Sequence, residues 1–298
     1  MTSDTDEGYV YLDGELVPRA EATVSAFDRG LLYGDGIFET MRAYERDNGG
    51  GVIFRLEDHL RRLGESAKAL RIELPMPVKD LADAARRLLE ANRLPNAYVR
   101  VTLTRGPHQG ALALDTARPA TLLIDCRPLH AYPDEWYAGG IKLITSESRR
   151  SRSAMAPRHK CLSYIENLLI LDKVRAAGAQ EAVVLTDDGC VCEGATSNIF
   201  WATEDGAFTP SPEANLLCGI TRAVVIEICN RLGLPLEEGL FEAGALTGAR
   251  EVFVTNSIME IMPVAEIDGV RIARCPGDLT CRLMHEYAAE VRRCLRSA

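Results

Sequence analysis

The sequence predicts an α+β protein of two domains, and three observations carry that expectation. Its 298 residues amount to about two domains at roughly 150 residues each. Short apolar or alternating runs mark strands in both halves, and leucines and alanines at helical spacing mark helices between them. Apolar residues make up 47% and charged residues 26% of the chain, an ordinary globular composition that needs no disulfide scaffold.

The elements follow in order. Tyr9 to Leu12, the turn Asp13-Gly14 and Glu15 to Val17 read as a hairpin, and a second strand pair surrounds Asn48-Gly-Gly-Gly51. Leu56, Leu60, Leu63, Ala67 and Leu70 predict a helix, and Leu81 to Leu89 repeats the pattern until Pro95 breaks it. Strands follow at Ala97 to Thr104 and Ala120 to Cys126. This first domain is taken as residues 1–126, with Arg127 to Gly140 as the linker, since it holds Pro128, Pro133 and Gly139-Gly140. The second domain, 141–298, opens with the strand Ile141-Lys-Leu-Ile144. The polar stretch Ser146 to Arg158, carrying Arg149, Arg150, Arg152 and Arg158, reads as a long loop, the kind that is usually functional or disordered. An amphipathic helix is expected from about Leu162 to Ala177. Strands Glu181 to Thr186, Ser197 to Ala202 and Glu251 to Thr255, helices Thr221 to Arg231 and Leu279 to Cys294, and a strand pair turned at Asp268-Gly269 complete the chain.

Charge and motifs remove several functions. The net charge of −9 repels a phosphate backbone, so nucleic acid is not an expected partner. No apolar run reaches the ~20 residues of a membrane span, and the acidic start Met1 to Gly8 has neither the basic nor the apolar region of a signal peptide. It reads as a frayed tail, and a cytoplasmic location is expected. The nine cysteines include no C-x-x-C pair, so reduced, mostly buried thiols are expected. Five scattered histidines give no metal-ligand spacing, and no metal is expected. Gly34-Asp-Gly36 lacks the third glycine of a dinucleotide fingerprint, and P-loop, G-x-S-x-G and H-E-x-x-H patterns are missing.

Lysine is scarce. Only Lys68, Lys79, Lys142, Lys160 and Lys173 occur, and Lys160 alone closes an arginine-rich stretch at a helix entrance, in Pro157-Arg-His-Lys160. It reads either as an ordinary solvated charge or, where cationic neighbours and partial burial favour the free amine, as a nucleophile toward an aldehyde. Cys218-Gly-Ile-Thr221 opens a helix whose free N–H groups suit a phosphate, or is simply a helix start capped by Thr221. Thr255-Asn-Ser257 ends a strand with similar donors. Glu193 follows an apolar strand and precedes Gly194-Ala-Thr-Ser-Asn198, where a carboxylate either caps the turn or faces a buried cation.

Six segments in order then resemble one family: Asp28 to Glu39, Phe54 to Leu63, Lys160 to Tyr164, Glu193 to Phe200, Gly219 to Arg222 and Val254 to Glu260. They are similar to the class IV (fold type IV) pyridoxal-phosphate enzymes, among them branched-chain and D-amino-acid aminotransferases and 4-amino-4-deoxychorismate lyase. The resemblance implies a smaller N-terminal α/β sandwich and a larger C-terminal pseudo-barrel domain that binds pyridoxal 5′-phosphate. It implies that Lys160 is the Schiff-base lysine and proton carrier, and that Glu193 pairs with the pyridinium nitrogen. Arg55, Ile220, Thr221, Asn256 and Ser257 would form the phosphate cup, Tyr164 would lie near O3′, and Phe38, Tyr98 and Arg100 would line the substrate pocket. Tyr98-Val-Arg100 and Tyr164 resemble the branched-chain enzymes, and Thr104-Arg-Gly106 the D-amino-acid enzymes. Arg105 to Pro133 and Asn256 to Met259 resemble the lyase group. The expected activity is ping-pong transamination between an α-amino acid and a 2-oxo acid, with a pyruvate-releasing lyase as the alternative and a non-catalytic cofactor-binding protein as a third reading. A homodimer with shared active sites is expected, supported by the glycine-rich segments Gly30 to Gly36 and Arg105 to Gly110, which read as loops without a core role.

Overall fold

The computed structural model describes residues 7–47, 49–107, 113–114 and 119–297. Residues 1–6 of the initial tail, the Asn48 turn position, residues 108–112 with the end of the Arg105 to Gly110 segment, residues 115–118 and residue 298 lie outside the described residues. The chain forms two compact units. One holds the described residues up to His130, the segment His159–Tyr164 and the chain from Val291 on; the other holds Ala131–Arg158 and Ile165–Glu290.

In the first unit, β1 (Tyr9–Leu12), β2 (Glu15–Pro18), β3 (Gly36–Glu45), β4 (Gly51–Ile53), β5 (Ala97–Thr104) and β6 (Thr121–Pro128) form an antiparallel sheet of order β2-β1-β6-β5-β3-β4. Three helices belong to it, α1 (Arg29–Tyr33), α2 (Leu56–Ala69) and α3 (Val78–Ala91). The sheet is sided in the manner of antiparallel sheets, apolar within and polar without. Ala97, Val99, Val101 and Leu103 of β5 pack with Leu56, Leu60 and Leu63 of α2 and with Leu81, Ala85 and Leu88 of α3. Tyr98, Arg100 and Thr102 alternate onto the other face, where Arg42, Thr40 and Phe38 of β3 pair with them in register.

The glycine-rich stretch 30–36 turns out to have a core role. Asp28, buried, caps α1 by accepting from Gly30 N–H at 2.7 Å and takes the Thr104 and Thr121 hydroxyls at 2.9 and 2.7 Å. Asp35 binds both Arg29 and Arg105, each at 2.8 Å. A Cβ on Gly30 would run into Thr104, so the backbone approach requires glycine there.

In the second unit, β7 (Ile141–Arg150), β8 (Glu181–Thr186), β9 (Val191–Glu193), β10 (Asn198–Ala202), β11 (Ala207–Pro210), β12 (Leu236–Gly239), β13 (Glu251–Asn256), β14 (Glu260–Ile267) and β15 (Val270–Arg271) form a nine-stranded mixed sheet. The order is β12-β11-β10-β13-β14-β7-β8-β9, with β15 beside β14. The Val191 N–H donates to Phe241 O at 2.7 Å and Cys190 bridges Glu242. The chain just beyond β12 thereby meets β9, and the sheet curls toward closure. One face packs Val183, Leu185, Ile199, Trp201, Val252 and Val254. On the other, Ala182 and Val184 pack with Ile170 and Val174 of α5 (Ile165–Ala176). Burial on both faces explains the uninterrupted apolar runs of these strands. The remaining helices are α4 (Asp134–Gly139), α6 (Ile220–Leu232) and α7 (Asp278–Ser297), the last with its final residues in the first unit.

Several expectations change. The polar stretch from Ser146 is strand as far as Arg150, the register against β8 slipping between Thr145 and Arg149. The stretch 127–140 is partly regular, being the end of β6 and then α4. The helix expected from Leu162 begins at Ile165 and is not amphipathic, since Ile165, Leu168 and Leu169 are exposed. Of the nine free thiols, Cys126, Cys192 and Cys229 are buried and Cys218 and Cys281 exposed, so full burial is less common than expected.

Candidate active site

Lys160 is held by backbone pairing before any helix begins. β4 covers only the Ala43–Glu45 end of β3. At the other end Phe38 N–H donates to Lys160 O at 2.8 Å, Leu162 N–H donates to Gly36 O at 2.9 Å, and Cys161 bridges Ile37. Residues 160–162 are thus a short added strand, and Gly36 is required because a Cβ there would strike Leu162. The register sets Lys160 against Phe38. Its Nζ lies 4.6 Å from the Phe38 ring centroid and 5.9 Å from that of Tyr164, and the two rings meet edge to face at 5.6 Å.

The other predicted substrate-side residues share this neighbourhood. The Arg100 guanidinium lies 3.8 Å from the same Phe38 centroid, and its Nε donates to Thr102 Oγ1 at 3.1 Å. Tyr98 OH is 3.4 Å from Thr40 Oγ1, with Arg127 stacked 4.8 Å from the Tyr98 ring. One aromatic ring therefore attracts two cations. Beneath it, on the inner face of β3, Glu39 takes His59 Nδ1 at 2.7 Å and Arg62 Nε and Nη2 at 2.7 and 2.6 Å. Burial raises the Glu39 carboxyl, but Arg62 and His59 outweigh it and hold the pKa down at about 2. Burial also pushes His59 below its usual value, against the pull of Glu39 and with help from the charges on Arg62 and Lys160. An ionised Glu39 thus accepts the Nδ1 proton of a neutral imidazole. Arg55, also in this unit, starts α2 in the left-handed region at φ 54° and donates to Asp58 at 3.1 Å.

The second unit gathers Glu193, Ile220, Thr221, Asn256 and Ser257. Glu193 ends β9; its Oε2 accepts the Leu217 N–H at 3.0 Å and its Oε1 faces Arg150 at 3.5 Å. α6 begins at Gly219, in extended conformation and with no side-chain cap, so Thr221 is inside the helix rather than its cap. A Cβ on Gly219 would meet Asn198 Oδ1. Asn256 uses its amide to build its own turn: Oδ1 accepts the N–H groups of Ile258 and Met259 at 2.9 and 2.8 Å, and Nδ2 donates to Thr196 O at 3.2 Å.

Known proteins match this arrangement. The family model of class IV amino-transferases matches residues 36–267. A Methanocaldococcus jannaschii protein assigned as a branched-chain-amino-acid aminotransferase is 37% identical over 280 residues, 93% of this chain and 94% of that protein. The aminodeoxychorismate lyase of Bacillus subtilis is 32% identical over 285 residues, 95% of this chain and 94% of that one. The crystal structure of the Escherichia coli branched-chain amino acid aminotransferase superposes with TM-score 0.91 at 29% identity, covering 95% of this chain and 94% of that one. The chain belongs to the class IV aminotransferase family.

The family's chemistry is pyridoxal-phosphate-dependent transamination, and this class IV aminotransferase is an enzyme of that kind with the mixed α+β fold. Its second unit suits such a cofactor. An uncapped helix start directs N–H groups and a positive dipole end at an anion, and Thr255 Oγ1, beside the Asn256 turn, is buried with no hydrogen-bond partner. Glu193, flanked by Arg150, is an anion suited to a cationic ring nitrogen. Motif reading of this aminotransferase missed Arg150, the Glu39–His59–Arg62 cluster and Glu181. The last is marked only by an acidic residue opening the apolar run Ala182 to Leu185.

Proposed function

We propose that this aminotransferase exchanges an amino group between an α-amino acid and a 2-oxo acid with Lys160 as the lysine that carries the cofactor. The supporting observation is the placement of the Lys160 amine and the Arg100 guanidinium over one Phe38 ring. Bound pyridoxal phosphate supplies an aldehyde for the amine and a conjugated ring that accepts electrons from the Cα–H bond. In this reading Lys160 Nζ would take the proton from the substrate Cα and deliver it two bonds away, to the carbon on the far side of the amino nitrogen. Glu193, flanked by Arg150 and by the Leu217 N–H, would hold a proton on the ring nitrogen. Ile220, Thr221, Asn256, Ser257 and Arg55 would bind the phosphate, and Tyr164 would bind the ring hydroxyl. Arg100 and Tyr98 bind the substrate carboxylate, and Phe38 packs on its side chain. The substrate-facing residues lie in 1–126 and, Arg55 apart, those for nitrogen and phosphate in 141–298, so this division, with 127–140 as linker, is proposed as the functional one.

Phe27, Leu31, Leu32 and Tyr33 around α1 are exposed, Leu31 by 71%, a surface that fits a second copy of the chain. A homodimer in which the partner completes each site follows, and sedimentation of a fully active monomer would overturn it. No helix among the described residues is long and apolar enough to cross a membrane, in keeping with a cytoplasmic enzyme.

Mixing the loaded enzyme with single L- and D-amino acids tests the reaction. The visible cofactor band should decay to the amine form with at least one of them, which also reads the chirality. Failure with every amino acid, together with pyruvate release from aminodeoxychorismate, would make the enzyme a lyase. Borohydride reduction and peptide mapping should place the label on Lys160, and label elsewhere would remove it from this role.

A further inference from the structure

Glu181 is 1% exposed, and its carboxylate is filled by neutral donors, four of the five from a single loop. Oε1 accepts the N–H groups of Ala182 and Ala195 at 2.8 and 2.9 Å. Oε2 accepts the Thr196 N–H at 3.1 Å, the Thr196 hydroxyl at 2.6 Å and the Ser197 hydroxyl at 3.1 Å. The loop from Gly194 to Asn198 is turned tightly onto this carboxylate, Gly194 N–H donating to Ser197 O at 2.6 Å. A Cβ on Gly194 would strike the Ser197 hydroxyl and crowd the Glu181 carboxyl.

This loop touches each part of the second unit assigned to the cofactor. It starts directly after Glu193. At Thr196 its carbonyl accepts Asn256 Nδ2 at 3.2 Å, tying it to the Asn256-Ser257 turn. At its end Asn198 Nδ2 donates to Leu217 O at 2.8 Å, while Leu217 N–H returns to Glu193 at 3.0 Å. Leu217 lies two residues before Gly219, the N-cap of α6. The nitrogen partner, the helix start and the second turn therefore hang on one loop, and that loop hangs on one carboxylate.

We infer that Glu181 is a positioning residue for cofactor binding, fixing the relative placement of Glu193, the α6 N-terminus and the Asn256 turn without touching the cofactor itself. The inference rests on the assignment of those three parts to the cofactor. A supporting group of this kind typically changes affinity by roughly tenfold to a hundredfold.

The comparison that isolates this role is a second buried carboxylate in the same unit. Glu251 accepts the N–H of Leu279 at 3.2 Å and the N–H and hydroxyl of Thr280, both at 2.8 Å, and so caps α7. It is a structural counterpart whose carboxylate makes no hydrogen bond to the loop among the described residues. Pyridoxal phosphate binding is measured by equilibrium dialysis against cofactor-free Glu181→Gln, Glu251→Gln and wild type, beside the melting temperature of each cofactor-free protein. Glu181→Gln should weaken binding by about tenfold or more, and Glu251→Gln should melt earlier yet bind within about twofold of wild type. Should Glu181→Gln not fold, Thr196→Val and Ser197→Ala each remove one donor and should weaken binding several-fold, more when combined. Unchanged affinity in Glu181→Gln, or in the double variant, overturns the inference, as does equal weakening in Glu251→Gln. Glu193→Gln and Thr221→Val report separately on the underlying assignment. If neither alters binding, that assignment fails, whatever Glu181 does.

Discussion

Glu39 and Glu181 are equally buried, at 1% exposure each, yet the two units neutralise them by opposite means. Glu39 is held by a full cation and an imidazole from α2, Glu181 by N–H and O–H dipoles from a loop. A charged partner offsets desolvation only while it is present, so removing it strands a buried ion. Dipoles share the same task among several weaker donors, each of which can be lost at modest cost. The charged solution anchors strand β3 to α2 directly under the Lys160–Phe38 pairing. The dipolar one shapes a loop, where geometry rather than brute stability is needed.

The difference can be broken most severely at Arg62. Arg62→Met leaves Glu39 without its cation, and urea unfolding should show a loss of about 3–5 kcal/mol. A loss below about 1 kcal/mol would show that the charge is better solvated than its burial indicates. Adding Glu39→Gln should recover much of the loss, because the stranded ion is then gone.

Acid sharpens the contrast next. The folded pKa of Glu39 is about 2 against an ordinary 4.5, so its contribution is complete above about pH 4.5 and fades as pH falls toward 2, amounting to about 3 kcal/mol. His59 is also depressed below 6.5, which makes the unfolded chain the better proton acceptor as pH falls below that value. Both effects have one sign. Hydrogen exchange at α2 should accelerate as pH drops from about 6.5, after correction for the intrinsic rate, and constant protection down to pH 3 would contradict the paired-charge reading. Tryptophan fluorescence would not report this, since Trp136 and Trp201 both lie in the second unit.

Thr196→Val is the smallest test. It removes one of five hydrogen bonds to Glu181 and should cost about 1 kcal/mol, measured by the same urea titration. A loss as large as that of Arg62→Met would erase the distinction.

Much of this was legible in the residues because the relevant signals are local. The strand signal from Ala97 to Thr104 has the limits of β5, and Tyr98 and Arg100 were marked by their motif position. The spacing of Leu56, Leu60 and Leu63 set the inner face of α2. The lone lysine in its motif marked Lys160, and the Gly219-Ile-Thr start marked α6. What escaped depends on partners distant in sequence. Residues 160–162 carry no strand signal of their own and become extended only because half an edge of β3 is open to them. Glu181 reads as an ordinary charge until the loop beyond β9 folds back on it. α5 lacks a helical stripe of apolar residues, so its burial pattern cannot be inferred from spacing.

The near-closure of the nine-stranded sheet bears on how the protein behaves in crowded solution. With β9 bridged to the chain after β12, that margin of the second unit's sheet is partly closed to a passing strand, while the first unit's sheet ends in β4 and β2. There β4 is three residues long and β2 terminates in a proline, Pro18. Short margins and a residue without an N–H donor are poor templates for another chain. Aggregation by strand addition is thereby discouraged in one unit by joining the rims and in the other by blunting them.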